Sequence, residues 1–115
     1  MIEIELPFPP SQNQYYRRVG SRTLISKRGR RYREMVIAIV AEIGVPPITG
    51  RVLMEIDYHP PDRRARDKDN FQKALFDSLE KAGAYLNDNQ IDDYPQKWYP
   101  PIKGGRCVVR LAEIK

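Results

Sequence analysis

The chain has 115 residues, 41% hydrophobic and 30% charged, a globular composition long enough for one domain with its own core. Lys and Arg outnumber Asp and Glu by 20 to 15, and the net charge of +5 favours a polyanionic partner, nucleic acid first. A single cysteine, Cys107, excludes an internal disulfide and a zinc cluster and suits a reducing cytoplasmic compartment. No basic leader precedes an apolar stretch and no long apolar run occurs, so the expectation is a protein neither secreted nor membrane-spanning.

Ile2-Glu3-Ile4-Glu5-Leu6 alternates apolar and polar residues and predicts a strand with one buried face, stopped by Pro7, Pro9 and Pro10. Ser11 to Tyr16 reads as a polar turn or a short helical piece, its two tyrosines packed under the loop. Residues 16–19 and 22–25 flank Gly20-Ser21 as a short hairpin. Between Arg17 and Arg33 lie Arg17, Arg18, Arg22, Lys27, Arg28, Arg30, Arg31 and Arg33, with no acid among them. Such a ribbon can lie along a phosphate backbone, with Arg17 and Arg18 as its candidate contacts. Ser26 predicts the N-cap of a helix to about Ile43, with Tyr32, Met35, Val36, Ile39, Val40 and Ile43 as its apolar stripe and Gly44 as its end. The basic first turn opposes the helix macrodipole, which suggests that those charges serve something outside the helix.

Val52, Met54, Ile56 and Tyr58 mark the clearest strand, which stops at Pro60-Pro61. A second helix is expected to start near Asp69 or Asn70 and to end at Gly83, burying Phe71, Ala74, Leu75, Ser78, Leu79 and Ala82. Asn87 to Gln90 reads as a polar turn. Residues 91–99 read as an edge or irregular strand broken by Pro95, with Trp98 and Tyr99 anchoring it to the core or to a partner subunit. Lys103-Gly104-Gly105-Arg106 is a turn into a last strand that buries Cys107, Val109 and Leu111. The expected architecture is α/β in the α+β sense: a single small domain over residues 1–115, with a mixed β-sheet and two main helices.

The chemistry concentrates between Pro61 and Lys73. Asp67 and Asp69 are two apart, so an extended backbone would point both to one side, and two hard carboxylates so placed can ligate Mg²⁺ while leaving positions for water and phosphate. Lys73, four residues after Asp69, falls one helical turn on, where its ammonium can neutralise a reacting phosphate. A third carboxylate completes a metal site, and Asp88 is the best candidate, ahead of Asp92 and Asp93. Arg63, Arg64, Arg66 and Lys68 are candidate phosphate contacts. Two readings stand at this point: a metal-dependent nuclease, and a non-catalytic DNA-binding or architectural protein in which Asp69 caps a helix and Asp67 pairs with an arginine. The carboxylates favour the first, since a pure DNA binder gains nothing from acids facing a phosphate.

Four ordered blocks then carry a resemblance. Leu6-Pro7-Phe8-Pro9-Pro10-Ser11-Gln12-Asn13-Gln14-Tyr15-Tyr16-Arg17, the stretch from Pro61 to Leu79 with its Asp67-Lys68-Asp69-Asn70, Leu86-Asn87-Asp88-Asn89-Gln90-Ile91-Asp92-Asp93-Tyr94, and Lys103-Gly104-Gly105 resemble the RusA family of Holliday junction resolvases over nearly the whole chain. The resemblance implies a Mg²⁺-dependent endonuclease of four-way DNA junctions, with Mn²⁺ as a substitute ion, in a symmetric homodimer, from a bacterial chromosome or a prophage. Its metal-binding aspartates map to Asp67, Asp69 and Asp88 and its essential lysine to Lys73. A nuclease of broader taste for branched DNA is the nearest alternative. Asn87 departs from the two adjacent aspartates common in the second acidic segment.

Overall fold

The computed structural model describes residues 1–115. Its frame is a five-stranded mixed sheet. Strand β1 (Ile2–Leu6) stands at one edge; the short polar stretch that follows is a single helical turn, α1 (Gln12–Tyr15). Then come the ribbon β2 (Tyr16–Val19) and β3 (Arg22–Ile25), the long helix α2 (Lys27–Ile43), strand β4 (Arg51–His59) and helix α3 (Gln72–Lys81). Strands β5 (Ile91–Asp93), β6 (Gln96–Trp98) and β7 (Arg106–Ile114) complete the chain. The sheet order is β1-β7-β4, with β5 and β6 both parallel to β4 on its other side. β7 runs antiparallel to β1 and β4. Pro95 breaks the edge between β5 and β6 as expected of a residue with no amide to donate, and its carbonyl still accepts from the Ile56 amide at 2.9 Å.

Alternation decides which face of the sheet is sealed. Val52, Met54, Ile56 and Tyr58 of β4, with Cys107, Val109 and Leu111 of β7 and Ile4 and Leu6 of β1, are at most 2% exposed. Burial pushes the Cys107 thiol up, so it behaves as a small apolar residue rather than a reactive one. The opposite face is polar: Arg110 donates to Glu3 at 3.0 Å and to Asp57 at 2.8 Å, and Arg106 reaches Glu5 at 3.3 Å.

Helix α2 begins as its sequence dictates, Ser26 Oγ accepting from the Gly29 amide at 2.9 Å, and ends at Gly44 in the left-handed region with φ 72°. Its stripe is narrower than the spacing predicts. Tyr32, Val36 and Val40 are buried, but Met35 and Ile43 are each 45% exposed, because their row overhangs the packed edge of the helix. Helix α3 starts later than expected. Asp67 to Asn70 form a turn closed by the Asn70 amide on the Asp67 carbonyl at 3.1 Å, and Phe71 takes the N-cap position without a side-chain cap. Phe71 is there because its ring buries against Phe8 and Trp98, with centroids 5.5 and 5.6 Å apart. Ala74, Leu75, Ser78 and Leu79 are buried as predicted, while Ala82 packs only at the margin. No helix is long and apolar enough to cross a membrane.

A polar clamp ties the helices together. The Tyr15 hydroxyl donates to Asp77 and lies 3.2 Å from Ser78 Oγ, while Arg33 Nε donates to it at 3.3 Å and Arg33 Nη2 reaches Asp77 at 2.6 Å. Burial, then the Asp77 bond, push the Tyr15 phenol up to about 12. The second tie is steric. A Cβ on Gly29 would meet the Tyr15 carbonyl oxygen at 2.3 Å, so α1 lies against α2 only because residue 29 has no side chain. Gly29→Ala is expected to destabilise the fold by about 1–3 kcal/mol. That is read as a melting temperature lower by at least roughly 4 °C in a thermal scan.

Candidate active site

Beyond His59 the chain leaves the sheet and is pinned before it reaches the aspartates. The Ile102 amide donates to the Pro60 carbonyl at 2.9 Å. Gly105, at φ +65°, lets the last turn sit on Pro61, where a Cβ would meet Phe8 and Pro61 at 3.1 Å. Asp62 then organises the loop. Its carboxylate accepts from the Arg64 amide at 3.0 Å and from Arg66 Nη2 at 2.8 Å, and Arg66 Nη1 reaches the Asp62 and Arg64 carbonyls at 3.1 and 3.2 Å. The Arg64 amide, with the Arg66 guanidinium adding to it, holds the Asp62 carboxyl below the usual carboxylate range. The Arg66 side chain is only 16% exposed and lies 5.5 Å over the Phe8 ring.

Asp67 and Asp69 follow on the turn that precedes α3, and both are exposed. Their carboxylates meet because the turn folds them together, not because the backbone is extended. The hydrogen bond to Asp69 and the nearness of its charge raise the Asp67 carboxyl above its ordinary value. The arginines nearby are engaged with Asp62, so the two like charges face each other without an ion-pair partner. That is the electrostatic setting a divalent cation relieves, and two hard oxygen donors with open positions suit Mg²⁺. Lys73 is exposed on the first turn of α3. A cleft of about 470 Å³ opens beside the pair, between Ser11 and Gln14 on one wall, Arg64, Asp67 and Asn70 on the other, and Arg28 between them. The Gln12 amide on the Asn70 carbonyl, at 2.8 Å, fixes the two walls together.

Asp88 sits elsewhere. It opens a 3₁₀ turn, Asp88–Gln90, and its amide donates to Glu80 Oε1 at 2.7 Å, beside the C-terminal end of α3. Gln90 secures the turn from beneath. Its side-chain oxygen accepts from the Leu86 and Asn87 amides at 2.8 Å, and its nitrogen donates to the Ile48 and Gly50 carbonyls at 2.9 and 2.8 Å. Arg51, first residue of β4, donates to the Asn89 carbonyl at 2.6 Å and to Asp92 at 2.9 Å. Asp88 is therefore beside the start of β4 and the C-terminal end of α3, while the Asp67–Asp69 pair lies beyond the end of β4 and just before α3, so the ten-residue helix, on the order of 15 Å long, stands between them. No three Asp, Glu, His or Cys side chains of the chain converge on a point that could hold a metal. Asp92 is occupied by Arg51, and Asn87 caps the turn by accepting from the Asn89 amide at 2.9 Å.

The model of the family described as endodeoxyribonuclease RusA matches residues 7–111. The chain belongs to the RusA family. It is 45% identical to the crossover junction endodeoxyribonuclease RusA of Shigella sonnei (strain Ss046), across 96% of this chain and 93% of that protein. The Escherichia coli (strain K12) protein of the same name is 44% identical and that of Enterobacteria phage 82 is 45% identical, with the same shares covered.

Within this RusA-family chain the candidate residues divide. Asp67 and Asp69 come together, Lys73 stands on the helix that follows, and Asp88 lies at the other end of the sheet. Arg17 and Arg18 are exposed on the ribbon, in a shallow pocket with Gln12 and Asn13. Arg63, Arg64 and Lys68 are exposed around the loop, whereas Arg66 is its internal clasp. Arg28 and Asp62 are the residues that single-site reading of the sequence passes over. Arg28 was one base in a run, and the signal for Asp62 was its position four residues before Arg66.

The raised Asp67 carboxyl gives a test with a definite sign. In the folded protein it binds protons over a range where the unfolded chain has released them. Its contribution to stability is therefore greatest at acid pH and is lost as pH rises through the raised value. Asp69→Asn is expected to bring the Asp67 titration, followed by carboxyl NMR, down toward that of an ordinary aspartate. An unchanged Asp67 titration in that variant would show that the two carboxylates do not interact.

Proposed function

We infer that this chain is a divalent-metal-dependent endodeoxyribonuclease of branched DNA that resolves four-way junctions by paired nicks. The observation that carries the reading is the unneutralised Asp67–Asp69 pair at the edge of a cation-lined cleft. The near full-length match to relatives named crossover junction endodeoxyribonuclease supports it. Mg²⁺, with Mn²⁺ as a substitute, would supply Lewis-acid polarisation of the scissile phosphoryl oxygen and acidify the attacking water. Asp67 and Asp69 would hold the ion. Lys73 sets its ammonium against the charge that gathers on the phosphoryl oxygens as water attacks in line with the leaving oxygen. Arg63, Arg64, Lys68 and the ribbon's Arg17 and Arg18 retain the flanking phosphates, and Arg28 lines the way in. Selection of a four-way junction rests on shape and deformability rather than on a base code.

The working unit in this reading is a homodimer, supported by the distance between the acidic turns. The Asp67–Asp69 pair of one protomer takes its third carboxylate from Asp88 of the partner subunit, so two equivalent sites form about a two-fold axis. Paired nicks in strands of like polarity match that symmetry.

Asp69→Asn is expected to abolish Mg²⁺-dependent nicking of a synthetic four-way junction while junction binding persists in a gel-shift titration. Lys73→Ala lowers the cleavage rate about 100-fold and binding far less; equal losses in both would make Lys73 a backbone contact only. Sharing of the site between protomers is tested by mixing. A heterodimer of Asp69→Asn with Asp88→Asn retains one wild-type site if Asp88 acts across the interface, and nicks one strand. If each protomer were self-contained, both sites would be dead and the mixture inert.

A further inference from the structure

A second groove, of about 610 Å³, shares Arg64 with the acidic cleft but is walled by the end of β6 instead of α1. Its floor is Trp98 with Pro100 and Pro101, and Arg63, Arg64 and Lys68 stand around it. The Trp98 indole is held from behind: Tyr58 stacks on it with centroids 4.4 Å apart, and Phe8 and Phe71 meet it edge-on at 6.0 and 5.6 Å. Trp98 is half-buried as a residue, with its Nε1 buried, and Lys68 Nζ lies 5.8 Å over the ring. The wall beyond is fastened to β4 by the Tyr99 amide on the Tyr58 carbonyl and the Ile102 amide on the Pro60 carbonyl, both at 2.9 Å. Two adjacent prolines leave that segment little freedom, so the groove exists before anything enters it.

A fixed indole beneath exposed cations is the chemistry that receives a nucleobase with its phosphates. Every base has a π face, so stacking on an aromatic ring needs no particular sequence. A base inside a duplex has both faces covered by its neighbours; a free face is offered by an unpaired base or by one unstacked where a junction opens at its branch point. An apolar protein segment fits less well, since Arg63, Arg64 and Lys68 around the indole favour a polyanion. We propose that this groove holds one unpaired or unstacked nucleobase of branched DNA, stacked on Trp98, with its flanking phosphates held by Arg63, Arg64 and Lys68. Because the loop carrying those three cations also carries Asp67 and Asp69, base capture positions the strand next to the acidic pair. The proposal rests on the branched-DNA reading above.

Trp98 is the only tryptophan, so its emission reports on this groove alone. With Ca²⁺ in place of Mg²⁺ to prevent cutting, a short oligothymidylate and a four-way junction are expected to quench Trp98. An abasic strand of the same length and a linear duplex leave it bright. Trp98→Leu weakens oligothymidylate binding about five-fold or more, duplex binding less than about two-fold, and Trp98→Phe retains most of the affinity. Equal quenching by the abasic strand would overturn the proposal, as would a folded Trp98→Leu protein with wild-type affinity for the oligothymidylate. A changed subunit number for Trp98→Leu in light scattering would also overturn it, by making the groove a protein interface. If Trp98→Leu does not fold, the wild-type quenching comparison decides alone. A wild-type protein that binds no junction at all defeats the branched-DNA reading, whereas one that binds junctions without quenching Trp98 defeats this proposal only.

Discussion

The antiparallel pairing of β4 with β7, from Arg51 opposite Ile114 to His59 opposite Arg106, holds the strand at whose two ends the acidic turns are fastened. The register cannot drift, because a slip of one residue would turn Val52, Met54, Ile56 and Tyr58 out of the core. Each end of β4 is then fastened to a turn: Arg51 grips Asn89 and Asp92 at one end, and Pro60 is gripped by Ile102 at the other. With helix α3 also standing between the two turns, Asp88 does not converge with Asp67 and Asp69 within one chain. The requirement for a second copy in the functional reading follows from that separation rather than from any feature of the interface.

The placement of charge follows the same division of labour. Arg33, Arg51, Arg106 and Arg110 are ion-paired within the chain, and the last two neutralise the carboxylates on the open face of the sheet. Arg64 and Arg66 pair with Asp62, and the bases without such partners gather on the ribbon, on the first turn of α2 and, as Arg63 and Lys68, on the loop before α3. The basic first turn of α2, unfavourable for the helix itself, is where Arg28 enters the cleft. Repulsion within this set is a standing cost that an incoming polyanion removes, and it produces binding that weakens with salt.

Local features were legible in the sequence where one physical signal decided them. The ribbon, both ends of α2, the alternation of β4 and β7 and the break at Pro95 all follow from turn residues, caps and periodicity. What spacing cannot convey is how much of a stripe finds a partner, and so Met35 and Ile43 lie open. Nor can it weigh a good capping residue against a ring that needs burial: Asp69 and Asn70 favour an earlier start for α3, but the contacts of Phe71 with Phe8 and Trp98 prevail. The site was legible as a set of residue types and not as an arrangement. Nothing in the interval between Asp69 and Asp88 discloses that their turns are fastened at opposite ends of β4, and nothing in a row of arginines singles out Arg66.

The Asp62–Arg66 clasp has a kinetic meaning. Confining a flexible backbone costs about 1–2 kcal/mol per residue. A loop that first became ordered on DNA would charge that cost against affinity and add a folding step to every encounter. Here the five residues from Asp62 to Arg66 are already tied by their own carboxylate, guanidinium and carbonyls. Arg63 and Arg64 thus project from a settled backbone, and no ordering of these five residues has to precede their contact with a phosphate.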